Sequence, residues 1–440
     1  MNRKAPRLHA ITGILVTGLS MIGLAIAVVI RVHAQTLPDL VRAVVLIDVT
    51  LTGSLSRPYD GQGALTIHNV DNGESLVRGR SYLGLGRMAA SSDLSMLIAG
   101  PGEGCGFRVD EATWAGDFDQ RCKPFALLAE WKLDSSSRLV DGRSRDRDYA
   151  PFGGVAALTD GTFIMTRSGQ QIRHDIPFNV VVPKPPFGLD HIRFKGPISN
   201  YPQIERVDSS SNLNHLPVEI LPTRDDKTII VLTDGGTIES FNIDTWSPMG
   251  AAISFPTATA PDHMSYGKGR PIHALHATMN SEERLVATNR LIAGDIALVD
   301  LVARTAQTVT LAPDARFAGG VAFNNAWLND DLLAVHADEY VAVYRLSPVP
   351  TSDASYDPAR PYEAAELSRL SIRRPINSSW LRTRALTVAP FGPAYSIAWS
   401  ADGRYLIAAS SEDTGDGDFA VIEVMDDGRT LEYRRMLTAS

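Results

Sequence analysis

From residue 35 onward the chain runs in short apolar stretches that alternate with polar positions at a period of two, and helical periodicity is nearly absent. β-Branched runs are broken by Asp-Gly, Asn-Gly, Gly-Gly and proline-containing turns, the punctuation of antiparallel strands. The last stretch is the clearest. Residues 394–400, 405–410, 419–424 and 430–437 predict four strands in meander order, with Asp402-Gly403 and Asp426-Asp427-Gly428 at turns between them. Four antiparallel strands in that order make one blade of a β-propeller.

The same grammar recurs upstream. Runs at 272–278, 284–288, 294–301 and 305–311 form one further unit, and those at 217–221, 228–233 and 237–243 form another. Partial copies begin near residues 320, 154 and 87, and strands at 41–49 and 64–68 supply one more. These amount to about seven units of roughly 45 to 75 residues, within or beyond the usual propeller period. A single such sheet cannot cover both its faces, whereas a closed ring of sheets covers them all and protects the last edge. The pattern therefore predicts an all-β fold, a β-propeller of seven blades with a hydrophobic helix at its N-terminus. Six or eight blades are the alternatives, because the N-terminal strands can instead complete the final blade. A β-helix or a pair of sandwiches fits four-strand meanders less well.

These repeats resemble a known group. Ile397-Ala-Trp-Ser-Ala-Asp-Gly-Arg-Tyr-Leu-Ile-Ala408, and Leu285-Val-Ala-Thr-Asn289 with Asp295-Ile-Ala-Leu-Val-Asp300, are similar to YVTN and lactonase-like propeller repeats. They are less similar to WD40 repeats, because Gly-His and Trp-Asp dipeptides are missing at the expected places. The resemblance covers about half the chain at the level of repeats and implies a fold. The group includes lactonases, cofactor-dependent dehydrogenases and non-enzymatic surface proteins, and fold does not choose among them.

The N-terminus follows another plan. Arg3, Lys4 and Arg7 precede an uncharged apolar run over residues 10–30. A basic flank followed by about 20 apolar residues is long enough to cross a bilayer, with the flank held inside. Val32-His33-Ala34 offers a cleavage site, while Arg31 and the length of the run favour an uncleaved anchor. Residues 1–34 thus read as a signal peptide or signal anchor, and residues 35–440 as an extracytoplasmic propeller, either tethered to the membrane or secreted.

Charge narrows the partners. The net charge of -8 is spread over mixed acidic and basic residues, with no basic footprint for nucleic acid. The two cysteines, Cys105 and Cys122, would meet an oxidising compartment after export and are expected to pair. Such a disulfide would stabilise the fold by about 3 kcal/mol in the chain-entropy description. A reactive or metal-binding pair would call for closer spacing and a nearby histidine.

Candidate chemistry is sparse. No Gly-x-Ser-x-Gly elbow, P-loop, His-Glu-x-x-His or haem-attachment sequence is present. The densest titratable group is Asp262, His263, Tyr266, Lys268, Arg270, His273 and His276, on the connection into an innermost strand. A histidine at a channel mouth can act as base or metal ligand near neutral pH. His273 and His276, three apart on an expected strand, would face opposite ways, which argues against a shared metal. Arg87, Glu219 and His273 hold comparable places in their repeats, so His263, His273, Arg87 and Glu219 are the candidates for a catalytic set. Asp413, Asp416 and Asp418 present oxygens suited to calcium, but the loop lacks the EF-hand spacing, and an acidic hairpin needs no ion. No cofactor is expected. The expectation is a non-catalytic module holding a protein, peptide or glycan at the channel mouth, with a lactonase-like hydrolase as the alternative.

Residues 177–202, rich in proline and aromatic side chains, are expected to form a long loop packed down over one end of the ring. Residues 362–370 read either as a short helix or as an outer strand.

Overall fold

The structure is a computed structural model. It describes residues 43–50, 62–69, 75–81, 85–90, 96–101, 125–130, 138–143, 153–173, 180–195, 203–255, 276–289, 295–311, 318–325, 332–337, 340–349, 361–371, 397–400, 402–409 and 419–437. These form antiparallel sheets whose strands follow one another in chain order.

The first sheet holds β1 (Ala43–Thr50), β2 (Gln62–Asn69) and β3 (Ser75–Ser81). Each of the other six has four strands. The second is β4 (Leu85–Ala90), β5 (Met96–Pro101), β6 (Phe125–Glu130) and β7 (Arg138–Arg143). The third is β8 (Val155–Ala157), β9 (Phe163–Arg173), β10 (Val180–Lys195) and β11 (Gln203–Leu213). The fourth is β12 (Pro217–Pro222), β13 (Thr228–Thr233), β14 (Thr237–Asn242) and β15 (Ile253–Ser254). The fifth is β16 (Ala277–Met279), β17 (Leu285–Asn289), β18 (Asp295–Asp300) and β19 (Thr305–Thr310). The sixth is β20 (Ala318–Phe323), β21 (Leu332–Ala337), β22 (Tyr340–Pro348) and β23 (Tyr362–Ser371). The seventh is β24 (Ile397–Trp399), β25 (Tyr405–Ala409), β26 (Phe419–Met425) and β27 (Thr430–Leu437).

Successive sheets meet face to face, and their first strands line up: β4 touches β8, β8 touches β12, and so on through β16 and β20 to β24. Last strands meet on the far side, β3 with β7, β19 with β23 and β23 with β27. The first strand of each four-stranded sheet is therefore innermost.

Burial on both faces explains why central strands read as unbroken apolar runs. In β13, Ile229 and Val231 pack with Ile164 and Leu189 of the third sheet, while Ile230 and Leu232 pack with Val286 and Val299 of the fifth. Leu285, Ala287 and Leu298 meet Val321, Leu333 and Val335 of the sixth sheet, and Leu332 and Val343 meet Leu406 and Ile422 of the seventh. Each fully buried aliphatic side chain contributes about 1.5–3 kcal/mol, so these layers between sheets are the core.

The first hairpins carry a repeated polar turn. Asp160, Asp225 and Asp402 each accept a backbone N–H two residues on, from Thr162, Lys227 and Arg404, and Asn280 accepts from Arg284 and Leu285. Such short polar side chains mimic a backbone turn.

The prolines of 177–202 do not make a loop throughout. Residues 180–195 are strand β10, paired with β9 and β11, and Pro183 sits opposite Gln170 on the stretch that β11 does not reach. Proline is tolerated on such an edge stretch, where one side of the strand has no ladder to break. Residues 362–371 are the outer strand β23, not a helix. The expected helix over residues 10–30, Cys105 and Cys122 lie outside the described residues. Among the described residues no helix is long and apolar enough to cross a membrane.

Candidate functional site

The first hairpin of each four-stranded sheet closes on an equivalent pair: Ala90 with Leu97, Ala157 with Phe163, Pro222 with Ile229, Met279 with Val286, Phe323 with Leu333 and Trp399 with Leu406. Counting the same distance back along each inner strand reaches Arg87, Gly154, Glu219, His276 and Gly320. These residues form one layer around the axis, at the end where the chain enters each sheet. Bulges interrupt the ladder there in three strands, between Leu85 and Met88, Pro217 and Glu219, and Ala318 and Gly320. Bulges commonly re-aim side chains beside functional sites.

On β12 the bulge has a visible effect. Val218 packs in the core between the fourth and fifth sheets, while Ile220 packs on the opposite side, against the third. Glu219 then reaches toward the fifth sheet, and its Oε2 lies 3.8 Å from Nδ1 of His276. Both side chains keep partial exposure, 16% for the carboxylate and 24% for the imidazole. His276 is held through its backbone: its N–H donates to Oδ1 of Asn289 at 2.8 Å, and the Asn289 N–H donates back to its carbonyl. A carboxylate beside Nδ1 favours a proton there and leaves Nε2 as the acceptor. The arrangement can bind a polar group, or accept a proton from one.

The strand carrying Glu219 is fastened from the third sheet. The Pro217 carbonyl accepts from the Gly154 N–H and from the Thr166 hydroxyl, each at 3.0 Å. Gly154 is the residue that permits this approach. A Cβ there would stand 2.8 Å from Cγ1 of Ile220 and 3.1 Å from the carbonyl carbon of Glu219.

The periplasmic gluconolactonase of Pseudomonas aeruginosa superposes with a TM-score of 0.51 at 12% identity, covering 90% of this chain and 96% of that one. A protein of unknown function from Desulfotomaculum acetoxidans gives 0.50 at 11% identity, over 88% and 94%. The β-propeller domain of Cps50 (Swd1) from Myceliophteria thermophila gives 0.42 at 10%, over 80% and 85%. The fold is that of a β-propeller. No protein-family model matches the chain, and no curated protein matches it in sequence. At such identities the likeness carries the fold and leaves the chemistry to the residues.

In propeller terms, Arg87 and Glu219 belong to the innermost strands of the second and fourth blades, at equivalent register. His263 and His273 lie outside the described residues, as do Asp413, Asp416 and Asp418. The histidine in register with Glu219 is His276. Its sequence signal was the distance to the next turn: His276 precedes Asn280 by the interval at which Glu219 precedes Thr223. Among the described residues no group of three His, Cys, Asp or Glu side chains is placed to hold a metal.

A second histidine pair, His215 and Asp234, lies 3.8 Å apart at the start of the fourth blade, and the imidazole ring covers Gly235. Asp234 is occupied as a turn acceptor for Leu216. At the opposite end of the third blade, Thr162 donates to Asp160 at 2.6 Å and lies 2.7 Å from Nε2 of His191. With the hydroxyl proton given to Asp160, Nε2–H of His191 donates to Thr162. Burial pushes the His191 pKa below its usual 6.5, against the pull of Asp160 and with the push of Arg193. For Asp160 desolvation acts upward, yet its bonds from Thr162 and the nearby His191 and Arg193 hold it below 3.8.

Proposed function

We propose that this chain is an extracytoplasmic binding module, a seven-bladed propeller that holds its ligand at the end of the axis lined by Glu219 and His276. The observation that carries the reading is this partly exposed carboxylate–imidazole pair, built from adjacent innermost strands. The ligand is a protein, peptide or glycan segment offering a polar group to the pair. The basic flank and apolar run of residues 1–30 support an N-terminal membrane helix or export signal. Seven blades are supported by the seventh sheet. On its face turned from the sixth, Ile407 and Val421 are buried, as a first sheet closing the ring would require.

The test is calorimetric titration of the full chain with peptide and glycan panels, repeated on Glu219→Gln and His276→Gln. Saturable binding weakened about tenfold or more by either change is expected, the loss of one charged hydrogen bond. Binding indifferent to both would refute the site.

A second reading rests on the same pair. With Glu219 orienting Nδ1, Nε2 of His276 can act as general base toward water on a sugar lactone, and the gluconolactonase of like fold supports asking this. Lactone hydrolysis followed by pH-stat and abolished by His276→Ala would make the chain a hydrolase. Rates equal to the uncatalysed background would dismiss that reading.

A further inference from the structure

We infer that Thr166 and Gly154, on the third blade, are positioning residues that hold the Glu219 carboxylate against His276 across the fourth and fifth blades. The inference rests on the reading of that pair as the binding site. Neither residue touches the pair's polar atoms. They act through one carbonyl oxygen, that of Pro217, the residue before the bulge.

The Pro217 carbonyl receives two donors from the neighbouring blade, the Gly154 N–H and the Thr166 hydroxyl, both at 3.0 Å. Thr166 is itself locked, since its N–H donates to the Gly154 carbonyl and the residue is 2% exposed. Two bonds from outside the sheet draw the leading end of β12 toward the third blade. The ladder to β13 accommodates this with one extra residue, Val218. A bulged strand twists and bends at that point. Glu219 is the second residue of the bulge, so its direction depends on whether the bulge persists.

The buried hydroxyl is the discriminating atom. Removing it leaves the Pro217 carbonyl with the Gly154 N–H alone, which weakens the pull on the leading end of β12 and favours relaxation of the bulge toward regular pairing. In the relaxed strand the Glu219 carboxylate swings off His276. Gly154 contributes by closeness: any Cβ would push β12 away through Ile220 and the Glu219 backbone.

The test uses the full chain with 15N-labelled histidine rings, read by NMR for the tautomer signature of His276. Glu219→Gln defines the signature of the ring without its carboxylate, and His276→Gln assigns the resonance. Thr166→Val is expected to shift His276 to the Glu219→Gln signature, whereas Thr166→Ser, which keeps the hydroxyl, is expected to retain the wild-type one. Thr166→Ala carries the same test should the valine variant not fold. A wild-type His276 signature in folded Thr166→Val or Thr166→Ala overturns the inference. If no peptide, glycan or lactone binds and the ring still responds to Thr166, the binding reading fails and the positioning stands.

Discussion

Val218 and Glu219 are neighbours in sequence, yet both turn toward the fifth blade, the first into its core and the second onto His276. Regular β structure would put them on opposite faces. The single extra residue in β12 makes a core contact and a polar contact compatible on one side of one strand. It also means that small steric changes beside β12 reach the site.

Two glycines should respond differently to alanine. At Gly154 the new methyl would meet Cγ1 of Ile220 at 2.8 Å and backbone atoms of Glu219 behind it. Backbone cannot step aside cheaply, so Gly154→Ala is expected to lower stability by about 1–3 kcal/mol. At Gly235 the obstruction is the half-exposed His215 ring, 2.5 Å away, which can rotate into solvent. Gly235→Ala should cost clearly less. Urea unfolding of both variants decides, and equal losses would contradict the argument.

Asp300 should matter more than a surface carboxylate. It is buried, accepts from Nε and Nη2 of Arg284 at 2.9 and 2.7 Å, and accepts from the N–H groups of Val302 and Ala303. Asp300→Asn loses the charge and turns a donor toward donors. A loss of about 2 kcal/mol is expected, in the range for hydrogen bonds to charged groups. A melting temperature unchanged from wild type would show the turn to be held otherwise.

Between the fifth and sixth blades the link is a side-chain amide imitating a strand. Gln307 donates to the Tyr362 carbonyl at 2.8 Å and accepts from its N–H at 3.0 Å. Gln307→Ala is expected to destabilise by about 1 kcal/mol, with hydrogen exchange quickening first in β23. Exchange that quickens elsewhere and spares β23 would tell against it.

The His191 cluster predicts a pH dependence of stability. Because burial lowers its folded pKa below 6.5, the unfolded chain binds the proton more readily. Its contribution is fully present above about pH 6.5 and is lost as pH falls from there through the lower folded value. Asp160 acts in the same direction further down, its contribution lost as pH falls below 3.8 through its depressed value. Denaturation midpoints of wild type and His191→Gln, compared from pH 7 to pH 5, should converge on acidification. Parallel curves would exclude His191 as the titrating group.

Much of the architecture was legible because it is local. The last blade was readable almost strand by strand, since Asp402-Gly403 separates β24 from β25 and Asp426-Asp427-Gly428 separates β26 from β27. The run Thr228-Ile-Ile-Val-Leu-Thr233 was legible as one strand of a repeated unit, and the structure covers it on both faces. Residues 180–195 misled, because prolines on an unpaired edge look the same in sequence as prolines in a loop. Glu219 was legible as a position in a repeat. Its partner was not singled out, because His276 and His273 cannot be told apart until the hairpin fixes which residue stands opposite Asn289.

Sequence alone thus determined what alternation and turn residues determine: strands, their meander order, the repeated sheet and the apolar N-terminal run. Tertiary structure decided which residues meet. The Glu219–His276 contact joins residues 57 positions apart across two sheets, and it depends on a bulge drawn out by hydrogen bonds from a third. Strand periodicity records only which side of its own sheet a residue takes, whereas a one-residue bulge, set by a neighbouring blade, changes that side without leaving a mark in the pattern.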